Sequence, residues 1–195
     1  MTKRDTETRE RIFESTTQLI REHGGTEPVT TRDIAARAGV GVGLINYHFQ
    51  TKEHLLDLCT QRIISRVIDG FDAFAGSVDL PPVDKLRFLV KANMRFLMDN
   101  PGISRASILH DIHTPGGGDN TAQTLRAYVP VVREACGDKA DEAHVLALTH
   151  SLIFTLQVLF LRGGVGALTS GCDPTDSEQV NRFIDTLIDQ LFPST

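Results

Sequence analysis

Cysteine is scarce in this chain, and what there is does not pair. Cys59, Cys136 and Cys172 are odd in number and scattered, with no C-x-x-C spacing. That argues against a disulfide or zinc framework and for reduced thiols in a cytoplasmic protein. Also missing is any uninterrupted apolar run near the ~18 residues that suggest a transmembrane helix. The opening residues, MTKRDTETRERIF, are charged and lack the apolar stretch of a secretory signal, so no membrane partner is expected. No convincing segment alternates with period two, and no repeat or low-complexity tract is present. Hydrophobic content of 41% and charge of 23% argue against wholesale disorder.

Catalytic signatures are absent too. The glycines at 39, 41 and 43 resemble a phosphate loop, but no strand precedes them and no Gly-Lys-Ser/Thr follows. The run Gly163 to Gly166 fails in the same way, and no nucleophile stands beside a base. His110 and His113 are three apart, but no further metal ligand accompanies them. The expectation is a protein that is not an enzyme, with no cofactor and no metal.

What the chain does have is helical periodicity almost throughout. Ile12, Phe13, Thr16, Leu19 and Ile20 form one apolar stripe that stops at His23-Gly24-Gly25. EPVTTRDIAARAG predicts a second, short helix, with Thr30 as N-cap and Asp33 closing a capping-box variant. A third runs from about Val42 to His48. Thr51 caps a fourth, reaching about Ala75 with Leu55, Cys59, Ile63, Val67 and Phe71 on one face. At 1.5 Å per residue it would span roughly 35 Å. Pro81 and Pro82 then suit a new helix start, which carries Leu86, Leu89, Val90 and Met94 and ends at Asn100-Pro101.

Further helices are expected over about Ile103 to His113, Thr121 to Cys136, Lys139 to Arg162 and Ser177 to Leu191. TPGGGDN breaks the chain between the first two, and RGGVGALTSGCDPTDS reads as a loop before the last. Pro130 should kink or divide its helix. The fold class is therefore all-α, with about nine helices. Residues 1–52 read as a small three-helix head with a helix-turn-helix, and 53–195 as a connector helix with a larger C-terminal helical body.

Within the head, Ile34, Val40 and Ile45 are spaced to meet between two crossing helices. Ala35 is small where the helices approach, and Gly39 sits where the turn needs a conformation costly for residues with a Cβ. A net charge of −5 speaks against a nucleic-acid partner, but its distribution does not. Up to Lys52, eight basic residues face seven acids, leaving the head at +1 and the remainder at −6. DNA would be kept to one end.

A recognition helix must expose the residues that read base edges in the major groove. Gly41 and Gly43 each weaken helix propensity by about 1 kcal/mol, yet let the backbone approach DNA closely. Val42 and Leu44 suit thymine methyls, and Asn46 a base edge or a phosphate, although a local cap is an alternative role for Asn46. Tyr47 and His48 suit phosphates at the groove wall or, alternatively, interhelix packing. Thr51 and Lys52 open a helix whose N-terminal amides can hold a phosphate, although Lys52 also reads as a solvated charge. Phe49 belongs to the core.

VTTRDIAARAGVGVGLINYHFQTKEHLL resembles the DNA-binding head of TetR-family transcriptional regulators, with an IA-x-x-aGv turn and an aromatic–His–Phe cluster before Lys-Glu. The detailed match spans about Arg9 to Leu58. Two positions depart from the pattern: Gly41 stands where Ser or Thr usually caps the recognition helix, and Asn46 where an aromatic is common. The resemblance implies that Arg32, Val42, Gly43, Leu44, Asn46, Tyr47, His48 and Lys52 face DNA.

In the body, AHVLALTHSLIFTLQVLFL is apolar nearly all round and must be buried on more than one side. Intramolecular packing is one explanation. The other, which the resemblance also implies, is a two-fold homodimer in which this helix and the last meet their copies as a four-helix bundle. Leu152, Leu156, Leu159, Val180, Phe183, Ile184, Leu187, Ile188 and Leu191 would form that interface. A mostly apolar pocket would draw on Asn93, Met94, His110, His113, Tyr128, His150, Phe154 and Gln157. The function expected is a ligand-responsive repressor of a palindromic operator, released by a small apolar effector. The alternative is an all-α ligand-binding or interaction protein that does not read DNA.

Overall fold

The structure, a computed structural model, describes residues 3–137, 140–173 and 175–193, and the side chains of these except at 72, 75 and 164–170. The described residues form nine helices: α1 (Lys3–His23), α2 (Thr31–Ala38), α3 (Val42–Phe49), α4 (Lys52–Ser77), α5 (Pro82–Asp99), α6 (Pro101–His113), α7 (Asn120–Cys136), α8 (Glu142–Ser170) and α9 (Ser177–Leu191). They fall into two compact units, Met1–Arg66 with Asn100–Pro115 and Val67–Asp99 with Gly116–Thr195.

The first unit is built on α1 packed against α2 and α3. Ile12, Ile20, Val29, Ile34, Ile45 and Phe49 are buried in it. Val40, expected in this core, is half-buried, and Val29 is fully enclosed instead. The unit extends past residue 52 because the apolar face of α4 is part of its core through Leu55, Leu56, Cys59 and Ile63. The Cys59 thiol reaches the Phe13 carbonyl at 3.6 Å, and burial pushes its pKa up to about 12. A thiol so hard to ionise is inert. Helix α6 also belongs here, burying Ile103 and Ile108.

In the second unit α7 lies against α5 and α8, and α9 against α5. Leu86, Val90, Met94, Val132, Leu152, Leu156, Ile184 and Ile188 make its core. Three expectations change here. Helix α7 runs through Pro130 undivided, with that proline exposed. Helix α8 opens at Glu142 on an Asp141 cap, while the expected start at Lys139 lies outside the described residues. The stretch from Arg162 to Ser170, expected as loop, stays helical beyond a kink at Gly163, where φ is 50°. A glycine tolerates that left-handed φ for one residue and lets the chain re-enter a helix.

No run is wholly apolar, yet Glu142–Gly163 averages a hydropathy of 1.7 and is long enough to cross a bilayer. Length and composition alone cannot separate a span from a core helix. Val145, Leu152, Ile153 and Leu156 are buried in the unit, as in a core helix.

Candidate nucleic-acid interface

The turn between α2 and α3 follows from a few local bonds. The Thr30 hydroxyl accepts from the Asp33 amide, and the Asp33 carboxylate accepts in return from the Thr30 amide and hydroxyl. Those Thr30 bonds hold the Asp33 carboxyl below the usual aspartate range. Gly39 ends α2 in the left-handed region at φ 61°, and its amide and that of Val40 return to carbonyls of α2. Arg37 grips Glu22 with two bonds of 2.8 and 2.6 Å, tying α2 to α1 and lowering the Glu22 carboxyl.

Helix α3 starts at Gly41, which has no side chain to offer, so the helix has no side-chain N-cap bond. Ile45 and Phe49 anchor it inward. Val42, Gly43, Leu44, Asn46 and Tyr47 are exposed, Tyr47 at 70%, and His48 is half-buried. The Asn46 side chain is exposed, and its backbone carbonyl accepts from the Gln50 amide. The Tyr47 and His48 rings meet edge-on at 5.0 Å, and the His48 Nε2 is buried without a partner among the described residues. From the sequence both rings suit phosphates at the groove wall, with interhelix packing as the alternative. Tyr47 is outward, and His48 is divided between the two.

The junction to α4 is a feature that sequence reading missed. Gln50 adopts φ 67° and ψ −61°, and the Thr51 amide bonds the Phe49 carbonyl at 2.8 Å across it. This is a γ-turn of the strained hand. Thr51 then caps α4 by accepting from the His54 amide. Lys52 lies 3.7 Å from Glu53 in a loose pair and Arg32 is exposed. Arg32, Val42, Gly43, Leu44, Asn46, Tyr47, Thr51 and Lys52 are thus all open to solvent to some degree around α2, α3 and the start of α4.

Residues 12–59 match the family described as bacterial regulatory proteins, tetR family. The repressor KstR of Mycolicibacterium smegmatis is 32% identical over 125 residues, covering 61% of this chain and 59% of that one. Residues 12–59 are therefore a TetR-family segment. The match to KstR spans little more than half the length of that relative. Among solved structures, FadR of Bacillus subtilis in complex with stearoyl-CoA superposes with a TM-score of 0.63 at 14% identity, covering 95% of this chain and 98% of that one. A TetR regulator from Rhodococcus sp. RHA1 gives 0.60 at 20% identity, covering 97% and 98%. The two structures show a shared all-α fold along nearly the whole chain.

In the rest of the chain the expected pocket residues are scattered. His110 and His113 lie on α6 in the first unit, and the other six in the second. His110 faces Asp57 at 3.6 Å, whereas His113 is exposed and bonds the Leu109 carbonyl of its own helix. Tyr128 is buried, donates to the Leu89 carbonyl and pairs with Asn93; burial pushes its phenol well up. Met94 is buried near them on α5. Gln157 donates to Thr121, and the His150 ring sits 5.4 Å from Phe154. Phe154 itself is 44% exposed.

The expected interface residues differ in burial. Leu152, Leu156, Leu159, Val180, Ile184 and Ile188 are buried in the core of the second unit. Phe183, Leu187 and Leu191 are half-buried. The outward face of α8 instead carries Leu146, Phe154 and Val158, the last 52% exposed. A helix apolar on every side carries no sequence signal for which face its own chain will take.

Proposed function

We propose that the chain is a homodimeric, ligand-responsive repressor whose residues 1–52 read a palindromic operator and whose residues 53–195 bind effector and partner. One observation carries the reading: an eight-residue helix held by two buried residues turns five others outward, Tyr47 among them, beside a half-buried Lys52. Val42 and Leu44 meet thymine methyls, and Asn46 meets a base edge or a phosphate. Arg32, Tyr47, His48, Thr51 and Lys52 hold backbone phosphates and set the register. DNA as the partner puts the protein in the cytoplasm.

The dimer joins α8 to its copy through Leu146, Phe154 and Val158, with Phe183 and Leu187 of α9 alongside. Two recognition helices then stand about 34 Å apart, one DNA turn. The effector is an apolar acyl compound held in the body, a class supported by the stearoyl-CoA bound to the B. subtilis FadR neighbour. It releases DNA only through a higher affinity for the arrangement that does not fit the operator.

Fluorescence anisotropy on duplexes tiled across the region upstream of the protein's own coding sequence tests this. One tile binds with a steep salt dependence, Tyr47→Ala and Lys52→Ala each weaken it about tenfold or more, and stearoyl-CoA reverses binding. Equal affinity for every tile, or full binding by both variants, overturns the reading.

A further inference from the structure

Three guanidinium groups of the first unit are held in defined places, and two of them are neutralised there. Arg37 is gripped by Glu22. Arg62 lies 3.8 Å from the Phe13 ring centroid and pairs with Glu10 at 2.7 Å. The third, Arg9, reaches from α1 over the Phe49 ring, 5.1 Å from its centroid, and forms no ion pair among the described residues. Glu10, its neighbour in sequence, is already committed to Arg62.

Phe49 is the last residue of α3 and is buried, so the Arg9 guanidinium lies beside the end of that helix that carries Tyr47 and His48. Stacking on a ring satisfies the flat face of a guanidinium and leaves its N–H edge for an acceptor. Arg9 is half-exposed, so that edge is open to solvent. An oriented cation without a carboxylate, next to the outward residues of α3, has the chemistry of an anion contact prepared in advance.

We propose that Arg9 is a phosphate-binding residue: its guanidinium, fixed on Phe49, donates to a backbone phosphate flanking the groove that α3 enters. This rests on the reading of α3 as a DNA probe. Such a contact adds affinity and orientation but no sequence preference.

The test uses the full-length protein and a duplex that the wild type selects from a random-sequence pool. Affinity is titrated across salt concentrations for wild type, Arg9→Gln, Arg9→Lys and the control Arg62→Gln. In Arg9→Gln the slope of log affinity against log salt falls by about 0.9 for each protomer bound. Its affinity for selected and scrambled duplexes drops by the same factor. Arg9→Lys keeps the slope, and Arg62→Gln leaves it unchanged because that charge is already neutralised. Where Arg9→Gln does not fold, Arg9→Met preserves packing on Phe49 and takes its place.

A variant that binds more weakly with an unaltered slope makes Arg9 a clamp between α1 and α3 and overturns the assignment. So does an unchanged affinity. Should the wild type select no duplex at all, the reading of α3 fails and the Arg9 assignment with it.

Discussion

A methyl group added at position 43 would meet open space, whereas one added at position 102 would collide with the Gly24 carbonyl and come within 2.8 Å of the Gly25 Cα. Both glycines lie in helices, but only the second is required by packing. Gly43→Ala should therefore raise stability by about 0.8 kcal/mol through helix propensity alone. Gly102→Ala should lower it by about 1–3 kcal/mol, since backbone rather than a flexible side chain must move. Thermal melting followed by circular dichroism checks both, and a neutral Gly102→Ala would refute the close crossing. The weakening role of Gly43 was legible from its place in a short helix. The role of Gly102 was not, because it depends on a turn far upstream in sequence.

At the scale of elements, α5 and α9 are joined by a charged clamp. Arg87 spans Asp185 and Asp189 at 2.9 and 2.6 Å, and Lys91 adds a 2.6 Å contact to Asp185. Burial pushes the Asp185 carboxyl up, but the Lys91 and Arg87 donors outweigh it and leave the group below the usual aspartate range. A carboxyl depressed by folding contributes stability above its unfolded value, near 3.9, and loses it as the pH falls through the folded value. Asp185→Asn should cost about 0.5–1 kcal/mol at pH 7, the small figure suiting a side chain still 38% exposed. By pH 3 the gap should narrow, as urea unfolding at the two pH values would report. A gap that widens in acid would contradict the clamp. The α9 stripe behind this contact was plain from its 3.6-residue period. For α8 the same reasoning ran out, since apolar residues on every face leave no period to read.

For the whole molecule, the exposed stripe on α8 makes oligomeric state the decisive measurement. If Leu146, Phe154 and Val158 meet their copies, Phe154→Arg places two like charges in an apolar contact near the two-fold axis. Light scattering coupled to size exclusion should then report a monomer, with operator affinity reduced at least a hundredfold because a single head contacts a single half-site. A dimer that survives this change would move the interface elsewhere. Leu152→Arg is expected to behave differently, unfolding the body because its site is fully buried within one protomer.

Short-range physics in the sequence was enough to determine most helix spans, the capped turn between α2 and α3, and the outward residues of α3. Each depends on neighbours within about four positions: Thr30 with Asp33, Gly39 with Ala35, Ile45 with Phe49. Only the tertiary structure decided which face of α8 is covered, where α6 belongs, why Gly102 must be small and that Arg9 lies over the Phe49 ring. Those outcomes depend on groups that meet from distant parts of the chain, and no local spacing encodes such a meeting.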